Sequence, residues 1–302
     1  MIKYFSHQEI DKAKWNICVE QSVNSLIYAY SWYLDIVSPR WEALILNDYE
    51  AVFPLTHGRK IFSYLYQPFF TQQLGLFYKS KPTASLLNDF LNAIPEKYRF
   101  MDIQLNEANE PDLDTWNYKK RKNFLLQLNQ TYQKLYKNFS GTTKRNIKKA
   151  TGNDLSILPL NSDEAVDFYI KHKGNKTLAL KKSDYVRLKE LLKTAEAKRA
   201  MLCYGVYHHH KELVSMAVIL SDKGRLYMIH NCASEKGRKL LGMYFLVDHL
   251  IHQHADQSLL LDFEGSDMDG IARFNKGFGA HKQPYFRLRI NRLPWYIKWL
   301  KY

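Results

Sequence analysis

The sequence has few cysteines, no long apolar run and no apolar segment at its start. Its three cysteines, Cys18, Cys203 and Cys232, are odd in number and far apart. This favours buried thiols in a reducing compartment over a disulfide framework. No 18 consecutive residues are apolar, so we expect no transmembrane helix. The first ten residues lack the hydrophobic region of a signal peptide, and we therefore predict a cytoplasmic protein.

Acidic residues are outnumbered by basic ones. The 302 residues include 44 Lys and Arg against 30 Asp and Glu, a net charge of +14 at pH 7 with a pI near 9.4. A hydrophobic fraction of 46% with 14% aromatic residues excludes a disordered chain. The excess of positive charge favours an anionic partner, which is nucleic acid, a membrane surface or a phosphorylated small molecule.

Acidic residues are missing altogether from residues 119–150, which hold ten Lys and Arg. Protein surfaces usually mix both signs of charge, so this segment is either a solvated basic face or a local anion site. It also lies at mid-chain, where a chain of this length would divide into two domains. We predict an N-terminal domain over 1–138 and a C-terminal domain over 139–302 that carries the donor-site candidates.

Hydrophobic periodicity and turn residues predict the order of the elements. In the first half we expect helices over 16–35 and 83–94, and strands over 41–46, 50–55, 60–66, 100–105 and 123–128. In the second half we expect helices over 162–171, 183–198, 240–255 and 269–276, and strands over 155–158, 201–207, 212–220, 226–231, 259–263 and 285–290. We place a last helical turn over 295–300. Because both halves contain three antiparallel strands, a helix and a strand, we predict an α/β (α+β) fold of two similar domains in tandem, each a mixed, mostly antiparallel sheet flanked by helices.

The loop before the long helix of the second half carries a first resemblance. Its residues 234–242 lead into the helix with the pattern Lys239-x-x-Gly242-x-Tyr244. This loop and the element order resemble the GCN5-related N-acetyltransferase (GNAT) superfamily, in which backbone amides at that helix start hold the pyrophosphate of coenzyme A. The family has a small residue where Tyr244 stands. The resemblance implies acetyl-CoA or another acyl-CoA as donor, with a set of cofactor-binding residues: Lys236, Gly237, Arg238, Lys239 and Gly242.

Three further segments make the resemblance specific to one branch of that superfamily. They are Leu-Asp-Phe-Glu-Gly-Ser at 261–266, Gly-Ile-Ala-Arg-Phe-Asn-Lys-Gly-Phe-Gly-Ala at 270–280, and the basic helix start at 140–150. They resemble the tandem-domain branch of that superfamily, the Fem-type aminoacyltransferases and related uncharacterised bacterial acetyltransferase-like proteins. The resemblance implies transfer of an acyl or aminoacyl group to an amine.

Two carboxylates at the end of the strand over 259–264 are the catalytic candidates. Alternation places Asp262 and Glu264 on one face, where they could orient an ammonium group and remove its proton. Burial side by side would raise the pKa of one of them. Alternatively, Asp262 pairs with Arg273 or caps the next helix.

The substrate-binding candidates are basic or aromatic-polar. Arg273 and Lys276 lie three residues apart on one helical face, as a clamp for phosphate or carboxylate or as partners of nearby acidic residues. Arg145 and Lys149 follow a helix start and form either an anion site or a solvated face. In the aromatic-polar stretch around Gln67 and Pro68, we single out two residues for an acceptor site or for packing: Tyr66 and Gln73.

Histidines do not point to a metal site. The run His208–His210 falls between two predicted strands, where alternation separates neighbours, and no partner has metal-site spacing. We interpret these residues as turn histidines and predict no bound metal.

Together these patterns predict an N-acyltransferase that moves an acyl group from acyl-CoA to an amine of an anionic small-molecule or peptide-like acceptor bound in an inter-domain cleft. The chain lacks the coiled-coil arm often found in tRNA-using relatives, which favours CoA. One alternative is an aminoacyl-tRNA-dependent, Fem-like peptidyltransferase of cell-wall precursor synthesis. Another is a catalytically degenerate protein that binds a ligand or nucleic acid. The sequence leaves the acceptor and the oligomeric state open.

Overall fold

The chain folds into two compact units. The first comprises Met1–Arg121 and Pro284–Tyr302, and the second comprises Lys122–Gln283. The computed structural model describes residues 1–80, 83, 85–113, 115–173, 180–265 and 267–296. The predicted boundary after residue 138 lies inside the second unit. A linear division could not anticipate this, because the last strand returns to pair with a strand of the first unit.

Fourteen strands are found in the described residues. They are β1 (Ile2–Phe5), β2 (Glu42–Leu46), β3 (Ala51–Leu55), β4 (His57–Arg59), β5 (Ser63–Tyr66), β6 (Phe77–Tyr78), β7 (Tyr98–Gln104), β8 (Tyr118–Gln127), β9 (Leu155–Pro159), β10 (Met201–His208), β11 (Glu212–Asp222), β12 (Arg225–Ala233), β13 (Leu260–Asp262) and β14 (His281–Asn291).

Ten α-helices connect them within the same part of the chain. They are α1 (Lys12–Gln21), α2 (Ser31–Val37), α3 (Leu86–Asn92), α4 (Tyr132–Lys137), α5 (Gly141–Thr151), α6 (Ser162–Lys173), α7 (Lys182–Ala197), α8 (Glu235–Lys239), α9 (Gly242–His254) and α10 (Asp269–Gly277).

The first unit contains two groups of paired strands. One sheet has the order β1-β2-β3-β6, and the other group has the order β4-β5-β7-β14. In the turn between β2 and β3, Asn47 and Tyr49 adopt positive φ angles. A buried cluster that includes Phe53, Phe90 and Tyr98 forms the core of this unit.

The second unit is built on strands in the order β8-β13-β12-β11-β10-β9. Strands β12 and β13 run parallel, and α9 provides the crossover that a parallel pair needs. Strand β11 is buried from Val214 to Leu220, because helices cover it, including α6 and α9. Its side chains and the apolar face of α9 form the main core of the unit.

The predicted order of elements in the second half agrees with the structure, apart from the short helix α8. The first half differs more. The helix expected over 16–35 is two helices, because the chain leaves α1 at Ser22, and the Asn16 side chain bonds both the Ser31 hydroxyl and its N–H (2.9 Å each). Strand β1 was not predicted. The turn expected over 295–300 lies mostly outside the described residues.

The three cysteines are free and buried, as predicted. Burial raises the pKa of Cys18 to about 11 and that of Cys203 to about 12. Both side chains are therefore neutral thiols at physiological pH rather than nucleophiles. A search of the described helices for length and apolar character finds none that could cross a bilayer.

Candidate functional site

A cavity of about 630 Å³ lies within the second unit, between β8, α10 and the start of α5. The first turn of α5 contributes Thr142 and Thr143, and its N-cap residue Ser140 also lines the space. The Ser140 hydroxyl accepts a hydrogen bond from the Thr143 N–H (3.1 Å) and so caps the N-terminus of α5. The positive end of the α5 dipole therefore faces the cavity.

Close contact between α10 and α5 fixes this geometry. The Ser140 N–H donates to the carbonyl of Gly277 (2.8 Å) at the end of α10. A Cβ atom on Gly277 would lie 2.3 Å from the Thr143 hydroxyl oxygen. Only a glycine at this position lets α10 approach the capped turn so closely.

Four cations line the cavity: Lys122, Arg273, Lys276 and Lys282. Asp269 is the acidic residue of the lining; it is almost fully exposed and lies 3.9 Å from Lys122. Among the residues that the structure describes, Arg273, Lys276 and Lys282 have no carboxylate within 4 Å. Their charges are thus available to a bound anion, and the helix dipole adds to the same positive potential.

Part of the lining is apolar. Phe124, Tyr244, Ala272 and Phe274 line the space, and the rings of Tyr244 and Phe274 meet edge to face with their centroids 4.9 Å apart. A cavity that combines such a wall with several cations suits a ligand with a phosphate at one end and a less polar group at the other.

The structure brings some of the predicted substrate-binding residues together. Arg273 and Lys276 both line the cavity, as a clamp would require. Arg145 does not line the cavity itself, but its guanidinium donates to the hydroxyl of the lining residue Thr142 (3.3 Å). Lys149 is exposed about one turn beyond Arg145 on α5.

Two lining cations were missed by sequence reasoning. Lys122 belongs to the basic segment 119–150, which was the available signal. No sequence signal pointed to Lys282, because its position depends on how β14 pairs with other strands.

Glu264 follows β13 in a left-handed conformation (φ 54°). The strand ends at Asp262, so the predicted alternation does not extend to Glu264. Part of the side chain reaches the surface, but its Oε1 is buried and has no hydrogen-bond partner among the described residues. Burial raises the pKa of Glu264 to about 8. A carboxyl group that titrates near neutral pH suits general acid–base chemistry.

Asp262 is completely buried, and its carboxylate faces Arg225. The Arg225 Nε donates to Asp262 Oδ2 (3.0 Å), and the Glu264 N–H donates to Oδ1 (2.8 Å). The ion-pair partner is therefore Arg225 on β12, whereas the sequence had suggested Arg273. These contacts hold the turn that carries Glu264.

The loop over 234–242 forms α8 and leads into α9. Its basic side chains have partners within the protein: Lys236 pairs with Glu212, Lys239 lies 3.2 Å from Glu235, and Arg238 donates to the Ala233 carbonyl (2.9 Å).

Both glycines of this loop pack against β11. A Cβ on Gly237 would lie 2.0 Å from the Val214 carbonyl oxygen, and one on Gly242 would lie 2.5 Å from the Ser215 hydroxyl. These close approaches explain both glycines without a bound phosphate. Arg273, Lys276 and Lys282 of the α5–α10 cavity, by contrast, have no carboxylate within 4 Å among the described residues.

The packing role of Gly237 can be tested. Alanine there would push α8 away from a backbone carbonyl that cannot move aside, so we expect Gly237→Ala to lower the free energy of unfolding by about 2 kcal/mol or more. Gly141→Ala is the matched control, since no atom lies within 4 Å of the added methyl group; it should be neutral or stabilising by up to about 1 kcal/mol. Urea unfolding of both variants, without any ligand, measures the difference. Equal stability of the two variants would contradict the packing role.

Tyr66 and Gln73 lie in different surroundings within the first unit. Tyr66 lines a second cavity, with Tyr64, Asp102 and Arg287. Gln73 is fully buried, and its amide Nε2 donates to the Gln72 side chain (2.6 Å).

The histidine run lies at the turn after β10, as predicted. His208 ends the strand, and His209 and His210 have positive φ angles. His209 pairs with Asp154. Within the part of the chain that the structure describes, no three His, Cys, Asp or Glu side chains lie close enough together to hold a metal ion.

The sequence matches no known family profile and no curated protein sequence. Solved structures, however, share its fold. FemX aligns over 94% of this chain and 96% of its own length, with a TM-score of 0.66 and 10% sequence identity. A conserved protein of unknown function from Bacteroides thetaiotaomicron aligns over 95% and 99%, with a TM-score of 0.61 and 12% identity.

A third similar structure is the C-terminal domain of a putative lysylphosphatidylglycerol synthetase from Agrobacterium fabrum. It aligns over 96% of this chain and 94% of its own, with a TM-score of 0.59 and 10% identity. These likenesses confirm the predicted fold class, a mixed and mostly antiparallel α/β fold, and its similarity to the fold of FemX. At about 10% identity they establish the fold and leave the substrates open.

Proposed function

We propose that this protein is an N-acyltransferase that takes a phosphate-bearing acyl donor into the α5–α10 cavity and transfers the acyl group to an amine. The observation that carries the proposal is the group of unpaired cations, Arg273, Lys276 and Lys282, at the capped start of α5. Phosphate groups are the natural ligands of such an arrangement. The apolar part of the lining would contact the acyl group of the donor.

In this proposal Glu264 accepts the proton of the amine. The amine nitrogen attacks the acyl carbon, a C–N bond forms, and the bond between the acyl carbon and the donor sulfur or oxygen breaks. The proton lost by nitrogen goes to the Glu264 carboxylate, and the leaving thiol or alcohol takes a proton from solvent. The pKa of Glu264, near 8, matches this task. Asp262 acts as a positioning residue, because it holds the Glu264 N–H.

Acyl-CoA is our first choice of donor, as the sequence predicts. Aminoacyl-tRNA is the second candidate, and two observations favour it. The similar structures include FemX and a putative lysylphosphatidylglycerol synthetase. In addition, α5 exposes Arg145, Lys148 and Lys149 along its length, as a surface for a nucleic-acid backbone would require.

The donor site is tested by removing two of its cations. We expect Arg273→Ala/Lys276→Ala to weaken donor binding by about 100-fold, since each charge-assisted hydrogen bond contributes about 1.5–3 kcal/mol. Arg292→Ala/Lys137→Ala is the charge-matched control, because both side chains are exposed and neither lines this cavity. Thermal shift and titration calorimetry with acetyl-CoA, a longer acyl-CoA and aminoacyl-tRNA measure the affinities.

The pattern of results separates the candidates. Stabilisation by acyl-CoA that the double variant loses and the control keeps supports the first donor. A salt-sensitive shift with tRNA alone would transfer the proposal to aminoacyl-tRNA. Equal binding by the two double variants would overturn the cavity as the donor site. Binding without acyl transfer to any amine would identify a degenerate, ligand-binding protein.

A further inference from the structure

Three strand ends meet at one end of a sheet in the first unit. Strands β5 and β7 run parallel, and Ser63 at the start of β5 pairs with Tyr98 at the start of β7. Strand β14 runs antiparallel to β7 and ends beside the same residues, where the Arg292 N–H donates to the Arg99 carbonyl (2.8 Å). Because neighbouring strands lie about 4.8 Å apart, the turn before β5 and the segment after β14 start about 10 Å from each other.

The turn between β4 and β5 exposes an aliphatic side chain. It consists of Lys60, Ile61 and Phe62, and the Lys60 N–H donates to the Phe62 carbonyl (3.2 Å). Ile61 is 84% exposed. Tight turns favour glycine, asparagine, aspartate or serine, which have the backbone freedom or the hydrogen bonds that a turn needs. An isoleucine supplies neither and contributes little to packing here, so the fold of this unit does not account for it.

The segment after β14 exposes a second apolar side chain. Leu293 is buried, and its N–H donates to the Asn291 side chain (3.1 Å), which holds the segment at the end of the strand. Two residues further on, Trp295 is 86% exposed, with its ring in edge contact with that of Tyr296. Single exposed apolar side chains are ordinary, whereas two large ones on neighbouring tips indicate a surface that binds something apolar.

Basic side chains lie around these two tips. Arg59 ends β4 and Lys60 follows it. Arg99 is exposed in a bulge of β7, since the register of β5 passes from Tyr98 directly to Phe100. Within the described part of the chain, Arg59, Lys60 and Arg99 have no carboxylate within 4 Å. An exposed glutamate, Glu96, precedes β7, and the three cations outweigh its charge.

We propose that this end of the first unit binds the surface of an anionic lipid bilayer. We call it the strand-end surface, and its residues are Arg59, Lys60, Ile61, Arg99 and Trp295. Tryptophan is favoured at the level of the lipid headgroups, where its ring contacts apolar groups and its N–H meets water. Lys and Arg beside it are attracted to anionic headgroups. Protruding side chains insert between lipid molecules, whereas a protein partner would need a matching pocket for each of them.

Vesicle binding by the full chain tests the apolar tips. We expect the protein to sediment with vesicles of equal parts phosphatidylglycerol and phosphatidylcholine, but not with phosphatidylcholine alone. Ile61→Ser/Trp295→Ala should weaken this binding by at least about tenfold, because two apolar side chains no longer enter the bilayer. Val23→Ser/Val186→Ser, at two exposed valines of other elements, is the control and should bind like the unaltered protein. Brominated phosphatidylglycerol should quench tryptophan fluorescence of the unaltered protein, and Trp295→Ala should lose this quenching.

The basic side chains are tested with a second pair of variants. Arg59→Ala/Lys60→Ala should weaken vesicle binding by about 25-fold, since each basic residue near an anionic bilayer contributes a factor of about five. Lys182→Ala/Lys211→Ala removes the same charge from exposed positions of the second unit and should change binding little. Circular dichroism of all four variants checks that they are folded.

Four results would overturn the proposal. The first is the absence of binding to the anionic vesicles by the unaltered protein. The second is undiminished binding by Ile61→Ser/Trp295→Ala. The third is an equal loss of binding in the two double variants that remove positive charge, which would indicate diffuse adsorption. The fourth is a lipid-free dimer that Ile61→Ser/Trp295→Ala dissociates, without vesicle binding, which would assign the surface to a second copy of this chain.

The proposal does not rest on acyl transfer. Vesicle binding is measured without a donor, and Arg273→Ala/Lys276→Ala should leave it nearly unchanged while donor binding is lost. The two proposals therefore fail separately.

Discussion

Glu264→Gln is expected to lower the rate of acyl transfer by about 100- to 10,000-fold while leaving donor affinity nearly unchanged. General base catalysis by a positioned carboxylate contributes a factor of this size, and glutamine has the same shape but accepts no proton. The measurement is amide formation with the donor that the binding experiments select. Glu190→Gln, at an exposed glutamate of the same unit, is the control and should keep full activity. Full activity of Glu264→Gln would remove Glu264 from the mechanism.

The pH dependence of the rate gives a second readout of the same group. Glu264 is active as a base only when ionised, and burial raises its pKa to about 8. The rate should therefore rise with pH up to about pH 8 and then level off. A rate that levels off near pH 5 would contradict this role.

Stability offers a test of Glu264 that needs no substrate. The carboxyl has a raised pKa in the folded state, so its contribution to stability is fully present below pH 4.5 and is lost as the pH rises through about 8. Glutamine at this position does not titrate. The difference in free energy of unfolding between Glu264→Gln and the unaltered protein should therefore change in favour of the variant from pH 4.5 to pH 8.5, by up to about 4 kcal/mol. Urea unfolding at the two pH values measures it, and a constant difference would show that the carboxyl is not shielded from water.

Asp262→Asn is expected to lower the free energy of unfolding by about 3–5 kcal/mol. The Arg225 and Asp262 side chains are only 11% and 1% exposed. Removing one partner leaves a buried charge without its counter-charge, and the cost is of this order. Asparagine keeps an oxygen that can accept a hydrogen bond from the Glu264 N–H, so the substitution measures the effect of losing the charge alone. Chemical denaturation measures the loss.

Two further variants control the Asp262 experiment. Asp48→Asn breaks an exposed pair with Lys14 and should cost less than about 1 kcal/mol. Asp262→Leu/Arg225→Met removes both charges and should be less destabilised than Asp262→Asn alone. At a temperature where Asp262→Asn is folded, a positioning role predicts that it retains more activity than Glu264→Gln. Equal loss of activity in the two would instead make Asp262 a catalytic residue.

Local patterns predicted much of the fold and part of the site. The common helix face of Arg273 and Lys276, which both line the cavity, followed from helical spacing, because residues three apart share a face of any helix. Ser140, which caps α5, is of a residue type that favours helix N-caps. The partner of Asp262 could not be predicted in this way. Arg225 reaches Asp262 through the parallel pairing of β12 and β13, and local periodicity does not determine the order of strands in a sheet. The same holds for Lys282, which depends on the course of the last strand.

The sequence by itself determined the element order of the second half, the buried thiols and the concentration of positive charge in residues 119–150. These follow from periodicity, composition and spacing, which act over a few residues. Tertiary structure alone decided that this charge meets α10 at a cavity, that Gly237 and Gly242 pack on β11, and that one carboxylate oxygen of Glu264 is buried. Each of these depends on contacts between distant segments, whose energies come from burial and close approach rather than from neighbouring residues.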